Sequence, residues 1–189
     1  MGITILLFFI LFMLDQILKF VMLKANGPII LGIDANNYFI KLDRTFNPGA
    51  AFGMGGTEGT IFFTVVSFIA TIALIIICTK FNDWKRNKVQ AVSLTMTLAG
   101  CVGNLYDRFL TSCGVNFLSA TGEAIPGQNS GVVDMIYFKP FVWLMEDVLH
   151  LSYGIFNLAD LFLVTGICLF AFDYIFFSER KKKKWQESE

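Results

Sequence analysis

Thr60 to Thr79 is a run of 20 residues without a single charged side chain. At 1.5 Å per residue, a helix of that length spans about 30 Å, the thickness of a bilayer's hydrocarbon core. Serine and threonine are its only polar residues, so it has no face to offer to water. Three further stretches resemble it. Val89 to Tyr106 is 18 uncharged residues enriched in small side chains, among them Gly100, Cys101 and Gly103. Ile3 to Leu23 is strongly apolar but holds Asp15, Gln16 and Lys19, and Ile155 to Ser178 holds Asp160 and Asp173. Only 16% of the chain is charged, against roughly 25% in soluble domains. The pattern predicts one all-α membrane domain over 1–189 with a small β element, its four transmembrane helices at about 3–23, 60–79, 89–107 and 155–178.

The first stretch does not read as a cleaved secretory signal. Such a signal has a basic leading region and an uninterrupted apolar middle. Met1 to Leu14 has neither Lys nor Arg, and Asp15 and Lys19 interrupt the apolar run. Basic residues set the orientation. Lys80, Lys85, Arg86 and Lys88 lie in the short link between the second and third helices, and Arg180 with Lys181 to Lys184 lie in the tail. Both termini are therefore expected in the cytoplasm, with a basic tail over 179–189 that meets anionic lipid. Segments 25–59 and 109–154 then lie on the outer side of the membrane. Fifteen basic residues balance fifteen acidic ones, so no nucleic-acid partner is expected.

In the first outer segment, turn signals at Asn26-Gly27-Pro28, Asn36-Asn37 and Asn47-Pro48-Gly49 bracket Tyr38 to Leu42, a pattern of short strands. In the second, Val132 to Phe138 is strand-like, and Phe141 to Leu151 mixes Trp143 with Glu146, Asp147 and His150 as a surface helix would. Of four cysteines, only Cys113 lies in an outer segment. A disulfide framework is not expected, and no pair has metal-site spacing; neither metal nor cofactor is expected.

A charge at the centre of a membrane helix costs at least ~2.5–3.5 kcal/mol, which makes each one a candidate for function. With the helices oriented as above, Asp15, Lys19, Asn104, Asp107, Arg108, Asn157 and Asp160 fall at one level, near the outer boundary. Asp15 and Lys19 are spaced i, i+4 and can neutralise each other; Asn157 and Asp160 are i, i+3. The planar fork of Arg108 suits carboxylates or phosphates. Asp134 is a lone acid among Val132, Val133, Met135 and Ile136. Plain structural roles compete: Asp15 with Lys19 can pin helix packing, Asp107 can sit in interfacial water, and Asn47 and Asn157 can serve turns or caps. Asp173, near the inner end, is expected to be solvated.

His150 is the only histidine and no H-E-x-x-H occurs, so zinc-protease chemistry has no signature; a Ser–Lys pair stays open. Carboxylates remain. Two that share a proton can activate water for attack on a peptide carbonyl, because like charges in contact cannot both ionise. A proton- or ion-coupled carrier using Asp15, Lys19, Asp107, Arg108 and Asp160 is the competing reading. It requires a midplane site with polar routes to both faces, and the inner halves of the second and third helices offer little beyond Ser and Thr. A non-catalytic scaffold would not need acids gathered at one level.

Five blocks in order, Asp15-Gln16-Ile17-Leu18-Lys19, Phe46 to Gly53, Gly103 to Arg108, Val132-Val133-Asp134 and Phe156 to Asp160, resemble the lipoprotein signal peptidase (signal peptidase II) family. The resemblance implies an aspartyl endopeptidase of the bacterial inner membrane, with its active site at the periplasmic side. Its substrates would be diacylglyceryl-modified prolipoproteins, cut just before the lipidated cysteine, and the enzyme would work as a monomer among membrane lipids. It further implies that Asp134 and Asp160 are the catalytic pair. Asn47, Gly49, Asn104, Arg108 and Asn157 would position substrate or shape the site, Asp15 and Lys19 would supply the first motif, and Asp107 would give structural support. The segment Gly27 to Gly55 would form a small extracytoplasmic sheet. Leu18 and Met135 depart from the family pattern, which has threonine and an aromatic residue there.

Overall fold

The computed structural model describes residues 2–33, 37–47, 56–81, 84–85, 87–113, 131–150 and 155–186. Helix α1 spans Gly2–Lys24, α2 Gly56–Phe81, α3 Lys88–Ser112 and α5 Leu158–Gln186. A short helix α4, Lys139–Trp143, continues as a single π-helical turn, Leu144–Val148. Strands β1 (Ile29–Gly32), β2 (Tyr38–Asn47) and β3 (Val132–Phe138) form one antiparallel sheet in the order β1-β2-β3.

Among the described residues three helical segments are long and apolar enough to cross a bilayer: Gly2–Lys24, Ile61–Phe81 and Leu158–Phe176. Helix α3 is as long but more polar, and its surroundings explain why. The helices α1, α2 and α5 all pack against it, α5 most extensively, whereas α1 and α2 make no close approach to each other. A central helix touches other helices rather than lipid, so it needs small side chains more than large apolar ones. Ser93, Thr95, Thr97, Gly100, Gly103 and Asn104 are all buried on it. The hydroxyls of Thr95 and Thr97 donate back to Ala91 O and Ser93 O at 2.7 and 2.8 Å, which removes the penalty of burying them. By contrast, Leu6 and Phe9 on α1, Phe62 and Ile69 on α2, and Ile175 on α5 are exposed, as lipid-facing side chains are.

Several boundaries differ from the sequence pattern: α2 starts four residues earlier than 60, and α3 runs on to Ser112 rather than 107. The last helix begins at Leu158 rather than 155, because Phe156 pairs with Ile136 of β3, its carbonyl accepting from Ile136 N at 2.7 Å. It also continues through the basic run to Gln186. The surface helix expected over Phe141 to Leu151 starts two residues earlier and ends at Val148, before His150 takes a positive φ of 52°. Asp173 is buried, not solvated: Asn87, the N-cap of α3, donates to its Oδ2 at 2.6 Å.

The sheet is longer than the turn signals of one segment imply. Strand β3, from beyond α3, pairs with β2 over Ile40↔Phe138 to Asn47↔Val132, with a bulge between Leu42 and Thr45. The underside of β3 packs into a cluster of Met22, Leu23, Val133 and Met135, against which Leu18, Leu42 and Phe46 also pack. Leu18 and Met135, the two departures from the family pattern, thus belong to one apolar cluster beneath the sheet. Helices α3 and α5 approach so closely that a Cβ at Gly166 would overlap the Thr97 hydroxyl and lie 2.7 Å from Ser93 O. We predict that Gly166→Ala lowers unfolding stability in detergent by about 1–3 kcal/mol. Gly27→Ala, where nothing lies within 4 Å, changes it by less than about 0.5 kcal/mol; thermal unfolding of the purified variants checks both.

Candidate active site

Lys19 organises the site. It is buried, as are Asp15 and Asp107, and its Nζ lies 2.7 Å from Asp15 Oδ2 and 2.8 Å from Asp107 Oδ2. It also reaches Asn104 Oδ1 at 3.5 Å. One α1 cation therefore joins two acids and an amide from two helices. A buried charge is tolerable only when its partners and hydrogen bonds are complete, and here each acid has further donors. Asp15 Oδ1 accepts from Ala159 N at 2.9 Å in the first turn of α5, where free N–H groups and the helix dipole favour an anion. Asp107 Oδ2 accepts from Val133 N at 3.2 Å. Gln16 donates to Asp15 at 3.0 Å and lies 3.4 Å from both Asp107 Oδ1 and Gly103 O. A Cβ at Gly103 would lie 2.9 Å from Asp15 Oδ2, so glycine there admits the carboxylate.

Asn157 and Asp160 cap α5 reciprocally. Asn157 Oδ1 accepts from Asp160 N at 2.8 Å, while Asp160 Oδ2 accepts from Asn157 N at 3.2 Å. This is a capping box with Asp in place of Glu, and it satisfies two helix-terminal donors. The Nδ2 of the same Asn157 donates to Asp134 Oδ1 at 2.7 Å and to Asn104 Oδ1 at 3.0 Å. Asn104 in turn donates to Asp160 Oδ1 at 2.7 Å. Asn47 closes the ring from the sheet, donating to Asp134 Oδ2 at 2.9 Å. Strand geometry explains its reach: Asn47 faces Val132, and side chains two apart on β3 share a face, so Asp134 is its diagonal neighbour.

Asp134 is buried at 2% exposure. Burial, and then the nearby Asp160 charge, push its carboxyl up to about 7, while Asn47 and Asn157 pull the other way. The two acids are thus linked by a shared amide and by electrostatics, an arrangement able to hold one proton between them.

Of the residues singled out from the sequence, Asp15, Lys19, Asn47, Asn104, Asp107, Asp134, Asn157 and Asp160 meet in this network. Gly49 lies outside the described residues. Arg108 lies within electrostatic range of Asp160, Asp134 and Asp107 without pairing directly with them. Among the described residues it has no carboxylate at ion-pairing distance; instead its Nη1 donates to Ser67 Oγ of α2 at 3.0 Å, and its Nε is buried without a hydrogen-bond partner. Sequence reasoning assigns no role to Ser67, which looks like one of several hydroxyls in an apolar run. It gives none to Gln16 either, although an amide in a membrane helix is itself a signal.

Comparison with known proteins bears on what the network does. A family model described as signal peptidase (SPase) II matches residues 7–176. The "Lipoprotein signal peptidase" of Fusobacterium nucleatum is 30% identical over 96% of this chain and 92% of its own length. That of Caldanaerobacter subterraneus is 31% identical over 86% and 89%, and that of Staphylococcus aureus 27% over 97% and 94%. Two solved structures of bacterial membrane enzymes, determined in meso at 2.3 and 1.9 Å, share the fold. Their TM-scores are 0.62 and 0.63 at 24% identity, and they cover 89% and 94% of this chain and 85% and 96% of their own.

The geometry has two measurable outcomes. Lys19→Met leaves two buried acids without their cation and should lower stability by about 3–5 kcal/mol. Lys41→Met breaks a half-exposed 3.6 Å pair with Asp43 and cation–π contacts with Tyr137 at 4.1 Å and Tyr38 at 5.9 Å, and should cost less, about 1–2 kcal/mol; unfolding in detergent measures both. Asp134 keeps its proton up to about pH 7 when folded and only to about 3.8 as a free side chain. Its contribution to stability is therefore full below about pH 4 and is lost as pH rises through about 7. Asp134→Asn should raise the unfolding temperature relative to the wild type more at about pH 8 than at about pH 5.

Proposed function

The chain belongs to the signal peptidase II family, proteases that remove signal peptides from prolipoproteins, and from that premise we propose that Asp134 and Asp160 cleave the precursor with a water held between them. The observation that carries this is Asn157, whose one side chain binds Asp134 at 2.7 Å and the Asp160 backbone at 2.8 Å. It ties a strand carboxyl group and a helix carboxyl group to one amide, which supports their acting as a pair. In the reaction, the protonated carboxyl polarises the scissile carbonyl while the other takes a proton from water, whose oxygen adds to the carbon. The proton then passes to the leaving nitrogen as the C–N bond breaks. Asn47 orients Asp134 and Asn104 orients Asp160; Lys19, Asp15 and Asp107 hold α1, α3, β3 and the start of α5 in register.

The protein is a multi-pass inner-membrane protein. We take α3 as the fourth span alongside the three apolar ones, with both termini cytoplasmic and the acids near the periplasmic boundary. The substrate is the diacylglyceryl-modified precursor, cut just before the lipidated cysteine. Each buried CH₂ of its acyl chains holds it in the bilayer by about 0.8 kcal/mol, so it enters laterally. A carrier using the same charges is disfavoured, because Asp15, Lys19, Asp107 and Asp160 are committed to one network, and the buried hydroxyls of Ser93, Thr95 and Thr97 between it and Asp173 are bonded to carbonyls of their own helix.

Purified protein in detergent micelles should cleave a diacylglyceryl-modified precursor and leave its unmodified twin largely intact; equal rates would remove the lipid-dependent reading. Asp134→Asn and Asp160→Asn should each reduce cleavage by at least about 10³-fold, and the double variant by little more, since groups acting as a unit are not additive. Substantial turnover by either folded single variant would exclude the mechanism. Asp43→Asn is the control and keeps most activity.

A further inference from the structure

A cleft lies well away from the acids. It runs between α1, α2, the turn after α2, and α3, and measures about 480 Å³, within the range of ligand sites. Its walls are apolar, with Ile5 and Phe9 from α1, Ile75 from α2 and Leu98 from α3. One end differs: Trp84 and Lys85 of the turn line it, and exposed Lys80 and Lys88 flank the same turn. Because α1 and α2 do not approach each other, the cleft is floored by α3. Ile5 is 14 residues from Lys19, about 20 Å along α1, so the cleft shares no residue with the acid network.

We propose that this cleft binds one anionic phospholipid, its phosphate at Lys85 and Trp84 and one acyl chain along Ile5, Phe9, Ile75 and Leu98. Charge complementarity selects that occupant. Basic pockets between membrane helices on the cytoplasmic side take anionic headgroups, and tryptophan belongs at the headgroup level. A water-filled cleft with such walls would leave apolar surface unsatisfied, whereas a chain from the bilayer fills it without leaving its own medium. The bound lipid would act as the missing contact between α1 and α2, bracing the helix that carries Ser67. The site rests on the four-span orientation proposed above and on no catalytic residue.

Native mass spectrometry of the full chain in detergent tests the site, titrated with phosphatidylglycerol or with phosphatidylcholine of the same acyl composition. Phosphatidylglycerol should be retained about fivefold better, the factor one lysine near a membrane surface supplies. Lys85→Gln should erase that preference, and Ile75→Trp, which fills the cleft from an exposed position, should reduce retention of both lipids. Precursor cleavage by the same samples separates the two claims: catalysis retained without a lipid preference would overturn the site alone. Equal retention of the two lipids by the wild type, or undiminished retention by both variants, would overturn it. So would displacement of the lipid by a non-lipidated apolar signal peptide, which would assign the cleft to substrate.

Discussion

A single buried cation sets the geometry on which the rest depends. Lys19 lies within 2.8 Å of two carboxylates, and neither acid is satisfied by it alone. Asp15 needs the first turn of α5, and Asp107 needs the backbone of β3. Removing charges from water is expensive, and the attraction between them offsets that only when every remaining lone pair finds a donor. The arrangement is therefore cooperative: α1, α3, β3 and α5 must all be in place before any of these charges is tolerable. Such a network contributes uniqueness more than stability, because only one docking of the sheet on the helices completes it.

That docking delivers a strand acid to a helix acid. Asp134 arrives on β3, whose inner side packs on Met22 and Leu23 of α1. Asp160 arrives at the third position of α5, whose start is fixed by its own capping box with Asn157. The asparagine commits its oxygen to the cap and its nitrogen to Asp134 and Asn104. One side chain thereby terminates a helix and ties two elements to it. Replacing it with an apolar residue would remove a cap, worth about 1 kcal/mol, and also the alignment of the two acids.

Much of this is legible in the chain, for identifiable reasons. Membrane helices declare themselves through apolar length, so α1, α2 and α5 can be placed within a few residues of most of their ends. Asp134 stands out because an acid in an apolar strand needs a reason to be there. Asp15 and Lys19 can be paired because i, i+4 spacing is a local geometric fact. Contacts between distant segments are not legible. Asn47 and Asp134 are 87 residues apart, and no local pattern joins β3 to β2 or predicts the bulge that sets their register. The start of α5 is hidden because Ile155 and Phe156 are as apolar as the helix they precede, yet Phe156 is committed to the sheet. The burial of Asp173 is hidden because depth along a helix does not reveal which neighbour covers it; Asn87, 86 residues away, does. Arg108 lies within electrostatic range of Asp160, Asp134 and Asp107, as its position suggests, but the hydroxyl its Nη1 meets belongs to a helix whose sequence gives no sign of it.

The proposed cleavage turns on one proton shared between the buried Asp134 and the half-buried Asp160, and the pH dependence of the cleavage rate tests this most directly. Measured as kcat/KM on lipid-modified precursor, the rate should fall at both extremes, since one acid must be ionised and its partner protonated. The alkaline limb should reflect the pair whose strand member stays protonated up to about 7. A rate that climbs steadily into alkaline pH, as a serine activated by a neutral lysine would give, or one that is flat throughout, would contradict the shared proton.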